Sequence, residues 1–252
     1  MRPIGFSTGA VAYSDFQRAL ELMAVEPVNC IELSALRFHE VAPLLNAIET
    51  LDLHRYGYVS FHAPSSFTVE QEPFLVEQLK RVPQHWPIVL HPDTIHNWEA
   101  WRQFGSQLAV ENMDRRKPWG RTVEELARTF SDLPDAAMCF DIGHARQCDT
   151  SMTEAYRILK AFQHRLKQIH VSEVNTASQH DPISYAAKIA FQEVACLIPS
   201  NIPVIIESRV TPQEINREIC RISQALPEFD FVPAITNARE AMHNSPSTRH
   251  QN

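Results

Sequence analysis

The sequence AMCFDIGHA at residues 137–145 joins a short apolar run to Asp141 and, three residues later, to His144. Five other apolar runs end in the same way, on a residue that binds metals or transfers protons: SFH at 60–62, VLH at 89–91, AVE at 109–111, QIH at 168–170 and IIE at 205–207. Helical patterns separate these runs, which is typical of a barrel of alternating strands and helices. Since such barrels build their active sites at the C-terminal ends of the strands, we expect the final residues to converge: His62, His91, Glu111, Asp141, His170 and Glu207.

Two further runs, IGFS at 4–7 and CIELS at 30–34, bring the predicted strands to eight. Helix starts are indicated where a Ser or Thr precedes a Gln or Glu by three residues, the spacing of a capping box; these positions are Ser14, Thr122, Ser151 and Thr211. The chain has 252 residues, close to the usual length of this fold. The sequence therefore predicts a single-domain α/β protein, a (β/α)8 TIM barrel over residues 1–242, followed by a loose polar tail at 243–252.

The overall composition excludes several classes of function. A formal net charge of −7 and a pI near 5.9 disfavour a nucleic acid partner. The chain lacks an apolar stretch of the roughly 20 residues that a membrane span needs, and its N-terminus does not resemble a signal peptide, so we expect a cytoplasmic protein. Five scattered cysteines without a CxxC pair indicate reduced thiols, not a disulfide framework or a thiolate zinc site.

The six strand-end residues have two interpretations. Each His taken alone is explained as a hydrogen-bonded core residue, and each carboxylate as one half of an ion pair. The whole set is harder to explain in this way, because buried ionisable groups are costly unless they are paired or bound to metal. A shared site is therefore the better interpretation.

The strand ends also carry a resemblance to a known superfamily. The segments FHAP at 61–64, LHP at 90–92, VENMD at 110–114, CFDIGHA at 139–145 and HVSE at 170–173 resemble the strand-end motifs of the xylose isomerase-like TIM barrels. This superfamily includes sugar phosphate isomerases and epimerases, and also the endonuclease IV-like enzymes of AP endonuclease family 2. The resemblance covers nearly the whole chain, as far as Glu207, but it says much less about the reaction than about the fold.

The resemblance to the isomerases and epimerases implies one divalent ion, held by Glu111, Asp141, His170 and Glu207. A ligand set rich in oxygen suits Mn2+, Mg2+ or Co2+. The ion would polarise a carbonyl group while Glu111 and Glu207, as catalytic residues, remove and return a proton. From the sequence, the first expectation is therefore an isomerase or epimerase acting on a small sugar, polyol or hydroxy-ketone.

The resemblance to endonuclease IV implies an alternative, a phosphoester hydrolase with two or three metal ions. His62 and His91 would bind metal together with the same four residues, and His144 and His180 would hold a third ion. Imidazole ligands shift the metal preference of the site toward Zn2+, Fe or Mn2+. SQH at 178–180 stands where that family has Asp-x-His, which puts the third ion in doubt. The extra histidines are equally compatible with hydrogen bonds to a sugar, so one to three ions per chain remain open.

Three further residues are candidates for substrate binding, each with a structural alternative. Glu32 lies in the second strand and either borders the substrate pocket or is buried beneath the site. Arg209 follows Glu207 and either binds an anion, as the basic run at 115–117 also could, or forms a surface ion pair. Trp119 either lines the pocket or packs on the surface. A non-catalytic barrel that binds a small molecule is a third possibility, against which four converging ligands argue; oligomer formation is open.

Overall fold

Short apolar strands close into a parallel barrel in the computed structural model, which describes residues 2–228. Within that range, each barrel strand pairs in parallel with its neighbours and the first pairs with the last, which confirms the predicted (β/α)8 fold. The predicted tail at 243–252 lies outside the described residues. In chain order, with β8 and β9 forming a separate antiparallel pair, the strands are β1 (Ile4–Ser7), β2 (Cys30–Ser34), β3 (Tyr58–His62), β4 (Ile88–Leu90), β5 (Leu108–Glu111), β6 (Ala137–Asp141), β7 (Leu166–Val171), β8 (Glu173–Val174), β9 (His180–Asp181) and β10 (Val204–Ile206).

Amphipathic helices cover the outside of the barrel. In the sixth of them the buried residues Leu126, Thr129 and Phe130 recur at helical spacing, so that one face packs inward. None of the helices in the described part of the chain is long and apolar enough to cross a membrane. The helices are α1 (Thr8–Ala12), α2 (Phe16–Met23), α3 (Val41–Ala47), α4 (Glu72–Leu79), α5 (Trp98–Arg102), α6 (Val123–Asp132), α7 (Ile142–Cys148), α8 (Thr153–Phe162), α9 (Tyr185–Ala195) and α10 (Ile215–Ala225).

Two of the predicted helix caps are confirmed. The Thr122 hydroxyl accepts a hydrogen bond from the Glu125 backbone N–H at 3.3 Å, where α6 begins. Thr211 and Glu214 form a reciprocal capping box at the short helical turn before α10. Both interactions satisfy backbone N–H groups that the first helical turn leaves without intrahelical partners.

Helices also begin close to the other two predicted starts, at Phe16 and Thr153, but the predicted serine caps are wrong, because an aspartate accepts the capping hydrogen bond from the Arg18 or the Glu154 backbone N–H. Ser14 has a φ of 72°, whereas an N-cap residue typically adopts an extended conformation. Asp15 caps α2 instead, by accepting a hydrogen bond from the Arg18 backbone N–H at 3.0 Å. Before α8, Asp149 accepts from the Glu154 backbone N–H at 2.9 Å, and the Ser151 hydroxyl donates to the same carboxylate at 2.7 Å.

The inside of the barrel changes character along its axis. A small apolar cluster of Val89, Ala109, Ala137 and Cys139 fills part of the interior. Side chains alternate between the two faces of a strand, so β6 turns both Cys139 and Asp141 inward. Asp141 lies two residues nearer the C-terminal end of the strand than Cys139. The interior therefore passes from apolar to ionisable toward the C-terminal ends of the strands.

Candidate active site

The residues predicted at the strand ends come together at one end of the barrel. Glu111, Asp141 and His170 lie at or near the ends of β5, β6 and β7, and each is at most 1% exposed. His62 and His91 are also buried, whereas the Glu207 side chain is 12% exposed. The chain thus buries an unusual density of ionisable groups in one place, which requires mutual pairing or a bound cation.

Glu111 lies at the centre of this arrangement. Its Oε2 atom is 3.3 Å from His62 Nε2 and 3.3 Å from His91 Nε2. Its Oε1 atom is 3.2 Å from His144 Nδ1 and 3.5 Å from His170 Nδ1. The two oxygens of one carboxylate therefore face two different sets of histidines.

Among the described residues, five groups of possible ligands each have their potential donor atoms within 4.8 Å of one another. Two of these groups bring in Glu32 or Cys139 beside residues of the other three, and the other three are treated as clusters. The first comprises His62, His91 and Glu111, and it shares Glu111 with the second. The second group is completed by three more residues: Asp141, His170 and Glu207. The third group combines Asp141 with two histidines outside the predicted tetrad, His144 and His180. We refer to these groups as the first, central and third clusters.

Asp141 contributes to local structure as well as to the site. Its Oδ1 atom accepts a hydrogen bond from the His144 backbone N–H at 2.6 Å and so caps α7. Its Oδ2 atom is buried and has no hydrogen-bond partner among the described residues. The Asp-x-x-His spacing therefore has a local cause, since it places His144 in the first turn of the helix that Asp141 caps.

The imidazole rings are oriented by acceptors behind them. His62 Nδ1 lies 2.6 Å from the Ala63 carbonyl oxygen, and His144 Nδ1 lies 2.9 Å from the Asn112 carbonyl oxygen. A carbonyl oxygen can only accept, so each of these nitrogens carries a proton. In His62 the opposite nitrogen, Nε2, faces Glu111, and metal-binding histidines are typically held in this way, by an acceptor on the nitrogen that does not bind the ion. In His144 the same Nδ1 atom faces both the carbonyl and Glu111.

The residues present fit a divalent cation. Besides Asp141 Oδ2, the described structure leaves His170 Nδ1 and Glu32 Oε1 buried without a hydrogen-bond partner, which is costly unless a bound ion or water completes them. Together the clusters supply nitrogen and carboxylate oxygen donors, which transition metals and Zn2+ accept. The donor set alone does not select one metal.

The buried carboxylates raise the pKa of two histidines beside them, His62 and His144. Burial by itself lowers the pKa of His62, but the hydrogen bond with Glu111 and the charge of Glu32 outweigh it and raise that pKa to about 9. Burial likewise opposes the rise for His144, where Asp141 and Glu111 nevertheless raise the pKa to about 10. Burial raises the pKa of Glu207 to about 7, and the charge of Glu111 acts in the same direction. The buried carboxylates therefore attract positive charge, which protons or divalent ions can supply.

A cavity of about 230 Å³ opens above the clusters. Its lining includes His62, His91, Glu111, His144 and Glu207, and cationic side chains that stand among them. The cations are Arg116, Lys117 and Arg209. Since ionised donors bind phosphates and carboxylates strongly, the cavity is suited to an anionic ligand.

The β8–β9 hairpin, which the sequence did not predict, places His180 beside the site. His180 Nδ1 is 2.8 Å from the Ser172 hydroxyl and 3.3 Å from Glu207 Oε2. Burial, and next the charge of His144, lowers the pKa of His180 to about 3. The predicted loop histidine thus joins the cluster as a neutral ring.

Sequence reasoning missed Asp114, which also lines the cavity. Its Oδ1 atom accepts hydrogen bonds from the Ser178 hydroxyl at 2.7 Å and from the Arg116 backbone N–H at 2.8 Å. Ser178 occupies the position where the resemblance calls for an aspartate. A signal was present, because Asp114 belongs to the VENMD motif at 110–114.

The three predicted substrate-binding residues lie in different surroundings. Arg209 lines the cavity, with its guanidinium group 5.8 Å from the Tyr13 ring centre. Glu32 is fully buried among Ser60, Gln168 and His170 and is not among the described residues that line the cavity. Trp119 is likewise absent from the part of the lining that the structure describes; its indole N–H donates to the Thr129 hydroxyl at 3.0 Å.

Comparison with known structures places this arrangement in context. No family model matches the sequence, and no curated protein matches it. Endonuclease IV from Thermus thermophilus is similar in structure with a TM-score of 0.58 and 18% sequence identity, over 90% of this chain and 99% of that one. The apo form of the E. coli 3-keto-D-glucoside 4-epimerase YcjR has a TM-score of 0.53 and 14% identity, over 89% and 99% of the two chains.

A third neighbour is a sugar phosphate isomerase/epimerase homologue from Anabaena variabilis, with a TM-score of 0.51 and 13% identity, over 100% of this chain and 94% of that one. The chain has a (β/α)8 barrel fold similar to that of these three structures. Identities this low establish the fold alone. These neighbours include both an endonuclease and an epimerase by name, so the reaction has to be argued from the site.

Proposed function

We propose that this protein is a divalent-metal-dependent phosphoester hydrolase that acts on a small anionic substrate. The observation that carries the proposal is the orientation of Glu111, whose Oε2 atom faces His62 and His91 while its Oε1 atom faces His170. A carboxylate in this position can bridge two ions. Paired ions bound by a protein supply Lewis acidity to both the attacking and the leaving oxygen of a phosphoester.

The buried charges favour two ions over one. Glu111, Asp141 and Glu207 are carboxylates of the first and central clusters, and a fourth carboxylate, Glu32, lies 3.0 Å from His170; once the histidines are neutral, two divalent cations would balance these four charges. A third ion has a weaker case, because the third cluster shares Asp141 with the central one and Ser178 stands where a carboxylate is expected. The first and central clusters are therefore the proposed ion sites, with Glu111 shared between them.

The cavity residues indicate how a substrate would be held. Arg116, Lys117 and Arg209 line the cavity above the clusters and would bind its negatively charged groups. Lys117 is itself held by Asp93, with Nζ and Oδ2 3.0 Å apart, so its charge has a defined position. These side chains bind and orient the anion, while the carboxylates and imidazoles of the clusters hold the ions.

The size of the cavity argues for a small substrate. A volume of about 230 Å³ is at most the size of a small ligand site, and the net charge of −7 opposes broad contact with a polyanion. We therefore propose a phosphoester metabolite, not duplex DNA. The expected cytoplasmic location accords with such a substrate and stays a prediction.

An isomerase or epimerase is the second candidate, and the completeness of the central cluster favours it. Glu111, Asp141, His170 and Glu207 have donor atoms within 4.8 Å of one another, as a single-ion site requires. This function would leave His62 and His91 to bind substrate hydroxyls. The non-catalytic alternative gives no reason for the buried donor atoms that lack hydrogen-bond partners.

The test is metal content combined with a substrate screen. Protein purified without a histidine tag or chelators should contain two transition-metal or zinc ions per chain by elemental analysis. It should hydrolyse a generic ester such as bis(p-nitrophenyl) phosphate, and metal removal should abolish that activity. One ion per chain, with isomerisation of keto-sugars and no phosphoester hydrolysis, would contradict the proposal and favour the second candidate.

A further inference from the structure

Glu32 lies beneath the metal clusters, where a single oxygen atom collects several hydrogen bonds. The side chain is 0% exposed. Its Oε2 atom lies 3.0 Å from the Ser60 hydroxyl, 2.7 Å from the Gln168 amide nitrogen and 3.0 Å from His170 Nε2. All three neighbours can donate to it, which is the environment of an ionised carboxylate.

The orientation of Gln168 supports the direction of these bonds. The Tyr58 hydroxyl donates to Gln168 Oε1 at 2.6 Å, so the amide NH2 group is the end that faces Glu32. That amide nitrogen is also 2.9 Å from His170 Nε2. With the His170 proton on Nε2, which the adjacent carboxylate favours, that proton and one amide hydrogen of Gln168 both point to Glu32 Oε2. The second amide hydrogen then has Cys139 Sγ, at 3.6 Å, as its acceptor.

The opposite nitrogen of His170 faces the proposed ion site. His170 Nδ1 is 3.5 Å from Glu111 Oε1 and 3.6 Å from Glu207 Oε1. It is buried and has no hydrogen-bond partner in the described part of the chain. The ring is thus anchored at one nitrogen and open at the other.

We infer that Glu32 is a positioning residue for the metal centre. It accepts the Nε2 proton of His170, fixes the rotation of the ring and makes Nδ1 a better donor to an ion in the central cluster. Of the two placements predicted for Glu32, this assignment corresponds to burial beneath the site, since Glu32 is not among the described residues that line the cavity. It rests on the metal centre of the proposed function and does not depend on the reaction.

Glu72 provides a matched control elsewhere in the fold. It is 2% exposed, and its Oε1 atom accepts from Trp101 Nε1 at 2.8 Å and from the His96 and Asn97 backbone N–H groups at 2.9 and 3.1 Å. Like Glu32, it is a buried carboxylate with three donors. Glu32 accepts from one cluster residue, His170, whereas none of the three donors to Glu72 belongs to the first, central or third cluster.

The experiment titrates Mn2+ or Zn2+ alone into chelator-stripped protein and measures affinity by competition with a chromophoric chelator. Glu32→Gln keeps the shape of the side chain but removes the charge, and the ion of the central cluster, to which His170 belongs, should bind about 10- to 100-fold more weakly than in the wild type. Glu72→Gln should lower the melting temperature of the metal-free protein and leave ion affinity unchanged. Equal affinities for wild type and Glu32→Gln would overturn the inference.

Glu32→Asp keeps the proposal testable if Glu32→Gln does not fold. It retains the charge but withdraws the carboxylate by one methylene group from His170 Nε2, so affinity should fall below that of the wild type. Wild-type affinity in this variant would show that only charge matters, which contradicts positioning. If the wild type itself binds no ion, the proposed function fails, whereas ion binding that is insensitive to position 32 refutes this inference alone.

Discussion

The two ends of the barrel contain cavities of opposite character. At the C-terminal ends of the strands, a cavity of about 230 Å³ is lined by histidines, carboxylates and cations. At the N-terminal ends, a cavity of about 480 Å³ is lined mainly by apolar residues, among them Ile4, Val204, Ile222 and Leu226. The described lining of the larger cavity includes Arg2, whose Nε atom is buried without a hydrogen-bond partner, but the smaller cavity lies above several such atoms in one cluster, among them Asp141 Oδ2 and His170 Nδ1. The concentration of these atoms therefore identifies the candidate site better than volume does, in agreement with the usual location of TIM-barrel active sites.

Among the substitutions at the two ends of the barrel, replacement of Glu111 should have the largest effect on ion content and turnover. Glu111→Gln leaves the packing nearly unchanged but removes the carboxylate that both the first and central clusters share. We expect the content of both ions to fall together, and turnover to drop by more than about 100-fold, beyond the loss typical of residues that only support a ligand. Elemental analysis and steady-state kinetics measure these changes. Retention of two ions and full turnover would refute the bridging assignment.

His91→Ala should have a large but selective effect. His91 belongs to the first cluster alone, so its loss should remove one of two ions and leave the central site occupied. Hydrolysis should fall by more than about 10-fold, as for loss of a group that supports metal binding. The exposed His85 provides the control, because His85→Ala removes an imidazole that belongs to none of the clusters. Loss of both ions in His91→Ala would show that the two sites are not separable.

Substitution at the opposite end should affect stability and not chemistry. Ile222 on α10 is 0% exposed and lines the larger cavity. Ile222→Ala should lower the free energy of unfolding by about 2 kcal/mol, the lower end of the range for such changes, because the site already borders empty space. Urea denaturation measures the loss. The ion content per chain should stay unchanged, and a fall in ion content would mean that the two ends are coupled.

The strands and the placement of the residues at their ends could be predicted from the sequence because both follow from local pattern. An apolar run of strand length that ends in His91 or Glu111 fixes its own direction, and the barrel brings all such ends together. The same logic applies to the spacing of Asp141 and His144. The prediction was reliable wherever a residue's place depended only on its position along a strand.

The remaining site residues could not be predicted, because their places depend on how loops fold and on depth within the barrel. Trp119 follows a strand end closely in sequence, yet its indole hydrogen-bonds to Thr129 and not to anything in the cavity. Glu32 lies within β2, two residues before its end, and so lies beneath the site. Asp114 reaches the cavity only through the loop conformation that also brings it to Ser178.

Arg209 should give the smallest effect, and it tests whether the cations of the cavity recognise substrate. Its guanidinium group lies 5.8 Å from the Tyr13 ring centre. Arg209→Ala should raise KM about twofold to fivefold and leave kcat nearly constant, because an exposed charge contributes at most about 1 kcal/mol. Arg128 is a close control, since it is also exposed and lies 5.7 Å from the Trp119 ring centre but does not line the described cavity. An equal rise in KM for Arg128→Ala would mean that the effect comes from net charge. A rise for Arg209→Ala alone would mean that the cavity at the C-terminal ends of the strands, which borders the proposed ion sites, also binds the substrate.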